Sequence, residues 1–185
     1  MPRRDMGVAI GLPEPWTSEL QSWRERLGDP NAAAVPPHVT LLPPTSLREA
    51  DLPHVEEHLR AVAAQEQPFL LRLRGSATFR PVSPVVFVPV VMGLADCERL
   101  ERAVRCGPLA RDVRFPYHPH VTVAHDLEAP ALDRAFDALA DYDASFTVEG
   151  FTLFEKDRAG VWRPQRDFRF AAGGRPGPVE PPADR

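Results

Sequence analysis

Pro37-His38-Val39-Thr40 and Pro119-His120-Val121-Thr122 are one tetrapeptide written twice in a chain of 185 residues, nearly half the chain apart. In an extended strand successive side chains point to opposite faces. His38 and Thr40 therefore share one face while Val39 turns to the other, and His120, Thr122 and Val121 repeat the arrangement. Each proline lacks a backbone donor, which places it at a strand start or a sheet edge. With six histidines and seven threonines in the chain, chance supplies about 0.2 His-x-Thr triplets, so two inside identical tetrapeptides read as an internal repeat.

The surroundings repeat as well. Ahead of the first copy stand a β-type run, Val8-Ala9-Ile10, and a helix with Trp16, Leu20, Trp23 and Leu27 on one stripe, at helical spacing. Pro15 suits the first turn of this helix and Gly28 its C-terminal cap. Ahead of the second copy stand Val85-Val86-Phe87-Val88 and a helix carrying Cys97, Leu100 and Val104, stopped by Gly107-Pro108. After the first copy a helix led by the capping-box spelling Ser46-Leu47-Arg48-Glu49 carries Leu52, Val55, Leu59 and Val62. A strand, Phe69–Leu73, follows it. After the second copy come a helix with Leu132, Ala135, Phe136 and Leu139, a long β segment from Phe146 to Phe154, and a last strand near Val161–Phe170.

The expectation is an α+β fold of two pseudo-symmetric lobes. The halves are about 6–75 and 85–170, with a turn-rich linker near Ser76–Pro84. They form a single bilobal domain over residues 1–170, and 171–185 read as a disordered tail.

Composition narrows the function classes. A net charge of −4 argues against gripping long nucleic acid through its phosphates, which wants a basic face, but leaves small anionic ligands and RNA ends open. No run approaches the ~18 apolar residues of a membrane span. The start, Met1-Pro2-Arg3-Arg4-Asp5, has no apolar signal core behind it. Cys97 and Cys106 have neither metal nor disulfide spacing, so a reduced, cytoplasmic setting is expected, with the chain taken as a monomer.

If the lobes face each other, two imidazoles and two hydroxyls converge on one cleft, the arrangement a phosphodiester reaction needs. One neutral imidazole accepts the proton of the attacking oxygen while the other, protonated, gives one to the leaving oxygen. The unperturbed histidine pKa of ~6.5 lets both forms exist near neutral pH. The threonines would donate to the nonbridging phosphate oxygens as charge builds there. His38, Thr40, His120 and Thr122 are thus the candidate catalytic set, and the scheme requires no metal or cofactor. The same cleft could instead bind a phosphorylated nucleotide or an RNA end without turnover.

Further candidates are weaker. His118 shares the parity of His120. Tyr117 and Phe115 could stack on a base or serve the core, and Arg80 and Arg114 suit phosphate oxygens. His125 lies on the opposite parity and reads as structural. His54-Val55-Glu56-Glu57-His58 spells H-x-x-E-H, but Leu52, Val55, Leu59 and Val62 already fill the buried face. A solvated helix flank, with no metal, is the expectation there.

Two His-hydrophobic-Thr-hydrophobic motifs, His38-Val39-Thr40-Leu41 and His120-Val121-Thr122-Val123, one per half, resemble the 2H phosphoesterase superfamily. Over roughly residues 6–170 the chain is most similar to its bacterial 2′-5′ RNA ligase-like branch. The resemblance implies a bilobal fold around a central groove with the four motif residues as the catalytic set. It also implies chemistry at 2′,3′-cyclic phosphates or 2′-5′ linkages of RNA ends or small nucleotides. Phe79-Arg80-Pro81-Val82-Ser83-Pro84 stands where the RNA cyclic phosphodiesterase branch carries an Arg-x-x-Trp-like segment, a departure that leaves the choice among these substrates open.

Overall fold

Each tetrapeptide opens a strand at its histidine: β2 spans His38–Arg48 and β6 spans His120–His125. The structure, a computed structural model, describes residues 2–112 and 115–171. Arg114 and the tail from residue 172 onward lie outside the described residues. Before β2 come β1 (Arg3–Gly11) and α1 (Trp16–Leu27), and after it α2 (Leu52–Gln65) and β3 (Phe69–Arg74). β4 (Ala77–Thr78), β5 (Val85–Met92) and α3 (Leu94–Val104) precede β6, which is followed by α4 (Ala129–Ala138), β7 (Asp143–Val148), β8 (Gly150–Lys156) and β9 (Trp162–Arg169). No helix among the described residues is long and apolar enough to cross a membrane.

The strands form one antiparallel sheet in the order β7-β3-β5-β6-β2-β1-β8-β9, with β4 also paired to β5. The two motif strands meet at its centre, where Val39 stands opposite Val121. Beside them, β1 flanks β2 with Ala9 opposite Thr40, and β5 flanks β6 with Phe87 opposite Thr122. Each of these ladders is bulged at that residue, between Val8 and Ala9 and between Val86 and Phe87. The pseudo-twofold relation thus extends to the β-bulges, devices that re-aim side chains beside functional sites.

The two halves exchange elements. β3 leaves the first half to pair with β5 and β7, and β8 returns from the second half to pair with β1. Helix α1 packs on α4 and β6, while α3 packs on α2 and β2. The expected long segment Phe146–Phe154 is two strands broken at Glu149: β7 serves one end of the sheet and β8 the other. Its direct passage between the ends requires the sheet to curl, and Phe69 of β3 accordingly stacks on Phe170 beyond β9 at 6.2 Å. Gly150 allows the crossing, since a Cβ there would lie 2.3 Å from the Phe168 carbonyl oxygen.

Two local expectations change. The segment Ser76–Pro84 contains β4 before its turn, so it belongs to the sheet. The capping box at Ser46–Glu49 does not form, because Ser46 is in β2 opposite Asp5 and accepts a hydrogen bond from Arg3 at 3.0 Å. Helix α2 starts at Leu52, with Pro53 in its first turn. Helix α1 matches its signals, ending on Gly28 at φ 77° with the glycine amide on helix carbonyls.

Val39 and Val121 are fully buried and form the seam on which the histidines and threonines are mounted. Val39→Ala or Val121→Ala should cost about 2–3 kcal/mol, from lost methyl burial plus the cavity left behind. The expected readout is a lower urea midpoint at unchanged m value. A loss below about 0.5 kcal/mol, the range of ordinary surface substitutions, would show that the seam is not close-packed.

Candidate active site

Because Val39 faces Val121 in an antiparallel ladder, His38 falls opposite Thr122 and Thr40 opposite His120. Both motifs show the same accessibility, with valine buried and histidine and threonine half-buried. The four side chains lie on one face and line the cavities that open there. His38 and Thr122 border one, Thr40 and His120 another, and His38 and Thr40 a third.

Each imidazole is held the same way. His38 Nδ1–H donates to the Pro36 carbonyl at 2.7 Å, and His120 Nδ1–H donates to the His118 carbonyl at 2.6 Å. A carbonyl only accepts, so in the neutral ring the proton is on Nδ1 and the lone pair on Nε2. Burial pushes the pKa of His38 down; the Pro36 carbonyl opposes this and the Arg24 cation adds to it. Burial likewise lowers His120, opposed by the His118 carbonyl and reinforced by the charges of His118 and His38. Among the described residues neither motif threonine hydroxyl has a hydrogen-bond partner in the protein. The site therefore offers two Nε2 atoms and two hydroxyls to a ligand.

On the His120 side a groove of about 760 Å³ runs past Phe79, Arg111, Phe115, Tyr117 and His118. The His118 ring is 5.9 Å from that of His120. Tyr117 donates its hydroxyl to the Thr40 carbonyl at 2.9 Å, tying the loop before one motif to the backbone of the other. Arg80 is directed elsewhere, onto Asp133 of α4 at 2.8 Å, and it lines none of the three cavities. His125, read from its parity as structural, lines the cavity of His38 and Thr122 together with Arg24 and Asp29, and lies beside Asp126 at 3.3 Å. On α2, His54 is exposed, and the half-buried His58 donates from Nε2 to the Val104 carbonyl at 3.1 Å.

The sequence reading missed several residues. Phe87 and Phe79 back the second motif, with Phe87 centred 4.8 Å and Phe79 5.1 Å from the His120 ring. Arg111 reaches the groove and donates to the Thr45 hydroxyl. Arg24 is 5% exposed and Asp29 7%, and they pair at 2.9 Å. Arg24 also donates to the Val35 carbonyl, and Asp29 accepts from the Asn31 amide at 2.9 Å. This pair fixes the loop that presents the Pro36 carbonyl to His38. Its signal was in the sequence: Arg24 lies one turn after Leu20 on the apolar stripe, a cation where a core side chain belongs.

Removing one partner of a buried pair leaves an uncompensated charge. Arg24→Met should therefore destabilise the fold by about 3–5 kcal/mol, and the double variant Arg24→Met/Asp29→Leu should regain most of that loss. In the double variant the His38 pKa should rise, because a nearby cation is gone. Urea unfolding and histidine NMR titration check both, and an unmoved His38 titration would show that Arg24 does not act on the ring.

Comparisons with known proteins agree with this geometry. A family model described as the 2′-5′ RNA ligase superfamily matches residues 12–160. BH1439 of Halalkalibacterium halodurans, which carries a provisional phosphoesterase name, is 33% identical over 73% of this chain and 74% of its own length. A Bacillus pumilus protein with the same kind of name is 31% identical over 80% of this chain and 86% of its own. Among solved structures, TT0787 of Thermus thermophilus superposes with a TM-score of 0.60 at 25% identity, covering 92% of this chain and all of the other. Escherichia coli LigT complexed with 3′-AMP shares the fold with a TM-score of 0.67 at 19% identity, over 91% and 99% of the two chains. With the twin motifs mounted face to face and a family model spanning most of its length, this chain belongs to the 2′-5′ RNA ligase superfamily and is a 2H phosphoesterase.

Proposed function

We propose that the chain is a metal-independent phosphodiesterase acting on a 2′,3′-cyclic phosphate or a 2′-5′ linkage of RNA ends or small nucleotides. The observation that carries this is the matched pair of imidazoles, each with Nδ1 committed to a carbonyl and Nε2 turned to the face shared with Thr40 and Thr122. In the cyclic-phosphate reaction a water oxygen forms the new bond to phosphorus as one Nε2 takes its proton. The bond from phosphorus to one ribose oxygen breaks, and the second histidine, protonated at Nε2, gives that oxygen its proton. Thr40 and Thr122 donate to the nonbridging oxygens, where negative charge increases along the path. With the hydroxyl of an RNA end in place of water, the same steps open the ring and join that end to the phosphate. LigT, which shares the fold, has been crystallised with 3′-AMP and with ATP, which supports nucleotides as the ligand class. The free thiols of Cys97 and Cys106 support a reducing, cytoplasmic setting, and all four motif residues come from one chain, which supports a monomer as the working form.

The test is incubation of EDTA-treated protein with nucleoside 2′,3′-cyclic phosphates and with a short RNA ending in one, resolving 2′- from 3′-monophosphates. We expect activity to survive EDTA and to fall ~10²–10⁴-fold in His38→Ala or His120→Ala. Thr40→Val or Thr122→Val should lose about 10²-fold, the scale of one transition-state donor. Full activity in either alanine variant would sink the proposal. Tight binding of nucleoside monophosphates with no product from any cyclic substrate would instead mark a binding module.

The pH dependence has a definite sign. One ring must be neutral and the other protonated, and burial lowers both pKa values. The kcat/KM bell should therefore centre below the ordinary histidine value of ~6.5. The kcat bell should sit higher, because a bound phosphate anion favours imidazolium. A kcat/KM optimum above about pH 7.5 would contradict this assignment. Stability follows the same groups. As pH falls below ~6.5 the unfolded chain takes up protons that the folded rings resist, so stability declines as pH drops from that point towards the lowered pKa values of the folded rings. The slope in that window should be shallower in a His38→Gln/His120→Gln double variant.

A further inference from the structure

The pseudo-twofold relation makes the two histidines interchangeable in outline, but the space beside them is not equal. Ala9 stands opposite Thr40 where Phe87 stands opposite Thr122. In the second half that space is filled: Phe87 lies against the His120 ring, and Phe79 packs on Phe87 at 4.2 Å. In the first half it is open. A cavity of about 210 Å³ lies beside His38 and Thr40, floored by Gly7 and Ala9 and walled by Phe154 and Trp162.

Several features make this a formed pocket. The Trp162 indole lies against the bare backbone of Gly7, where a Cβ would come within 3.2 Å of the ring. The Trp162 amide donates to the Ala34 carbonyl at 2.8 Å, tying β9 to the loop that leads into the first motif. Both aromatic walls are half-buried, so part of each ring remains accessible. Among the described residues the lining has no arginine, lysine or carboxylate, which argues against a second phosphate or a sugar polyol as occupant. Its volume falls below the ~300 Å³ at which pockets for drug-sized ligands begin, which suits a single flat heterocycle.

We propose that Gly7, Ala9, Phe154 and Trp162 form a ring-binding subsite that seats the base of a nucleotide whose phosphate rests on the four motif residues, and does so on the His38 side alone. This rests on the phosphodiesterase reading and deepens it by giving the pseudo-symmetric site a direction. The base enters beside His38, and the remainder of a longer substrate is left to the groove beside His120. Among the described lining residues His38, Thr40 and the Trp162 indole alone offer side-chain hydrogen bonds, so the pocket reads a base by its flat faces. It should accept all four bases, purines better than pyrimidines, because stacking tolerates sequence.

The experiment compares kcat/KM for adenosine and cytidine 2′,3′-cyclic phosphates with that for methyl ribofuranoside 2,3-cyclic phosphate, which has no base. Wild type should prefer the nucleosides. Ala9→Phe, which copies the second half, and Trp162→Ala should each lower that preference roughly tenfold, through KM, the scale of one lost base–aromatic stack. Trp162→Phe should keep most of it. Thermal melts check folding, and the Trp162 variants decide if Ala9→Phe unfolds. A wild type without preference, or a preference untouched by the variants, would overturn the subsite. If no cyclic phosphate is turned over, the phosphodiesterase reading fails, and the pocket is judged by Trp162 fluorescence in a Trp16→Phe/Trp23→Phe background. Quenching by adenosine 2′-monophosphate and not by ribose 5-phosphate keeps the subsite; equal or absent quenching removes it.

Discussion

Val39 and Val121 face each other across the two central strands, and nearly everything else in the molecule hangs on that contact. Their burial sets the register of β2 against β6, and strand alternation then brings His38, Thr40, His120 and Thr122 out on the other face. A slip by one residue would invert one strand relative to the other, burying its imidazole and exposing its valine. The hydrophobic seam and the candidate catalytic face are thus one constraint seen from its two sides. The exchange of β3 and β8 between the halves reinforces it, because neither half can close its sheet without a strand from the other.

On that frame the histidines acquire their chemistry from short-range partners. A carbonyl two residues upstream holds each Nδ1–H, which fixes the ring and leaves Nε2 basic. Burial weakens the charged form of each ring, so the pair favours the neutral state until an anion arrives. A phosphate is the ligand that would reverse this, since its charge favours imidazolium where burial opposes it. The repeat departs from symmetry in what surrounds the rings. A buried Arg24–Asp29 pair supports His38, whereas aromatic rings support His120.

Much of this was legible in the residues. The repeated tetrapeptide, its parity and the helices on either side carry the α+β class and the four candidate side chains, because strand alternation and helical periodicity are local rules. What was not legible depends on register and long-range pairing. Nothing local says that Phe146–Phe154 divides between opposite ends of a curled sheet, or that Ser46 pairs with β1 before it can cap a helix. Phe87 was visible as a strand residue, but its place against His120 needs the β5–β6 register. Arg80 looked like a phosphate ligand until α4 supplied Asp133. Arg24 is the instructive miss, because a cation on an apolar stripe announces a buried partner even when the partner cannot be named.

The most direct test of the account is the protonation of the two rings, read by two-dimensional ¹⁵N–¹H NMR of histidine-labelled protein. Spectra would be followed over pH, first free and then with a nucleoside 2′-monophosphate. The account predicts that His38 and His120 are both neutral Nδ1–H tautomers with pKa values below ~6.5, and that binding raises at least one of them. An Nε2–H tautomer at either ring, or titrations that ignore the ligand, would contradict it.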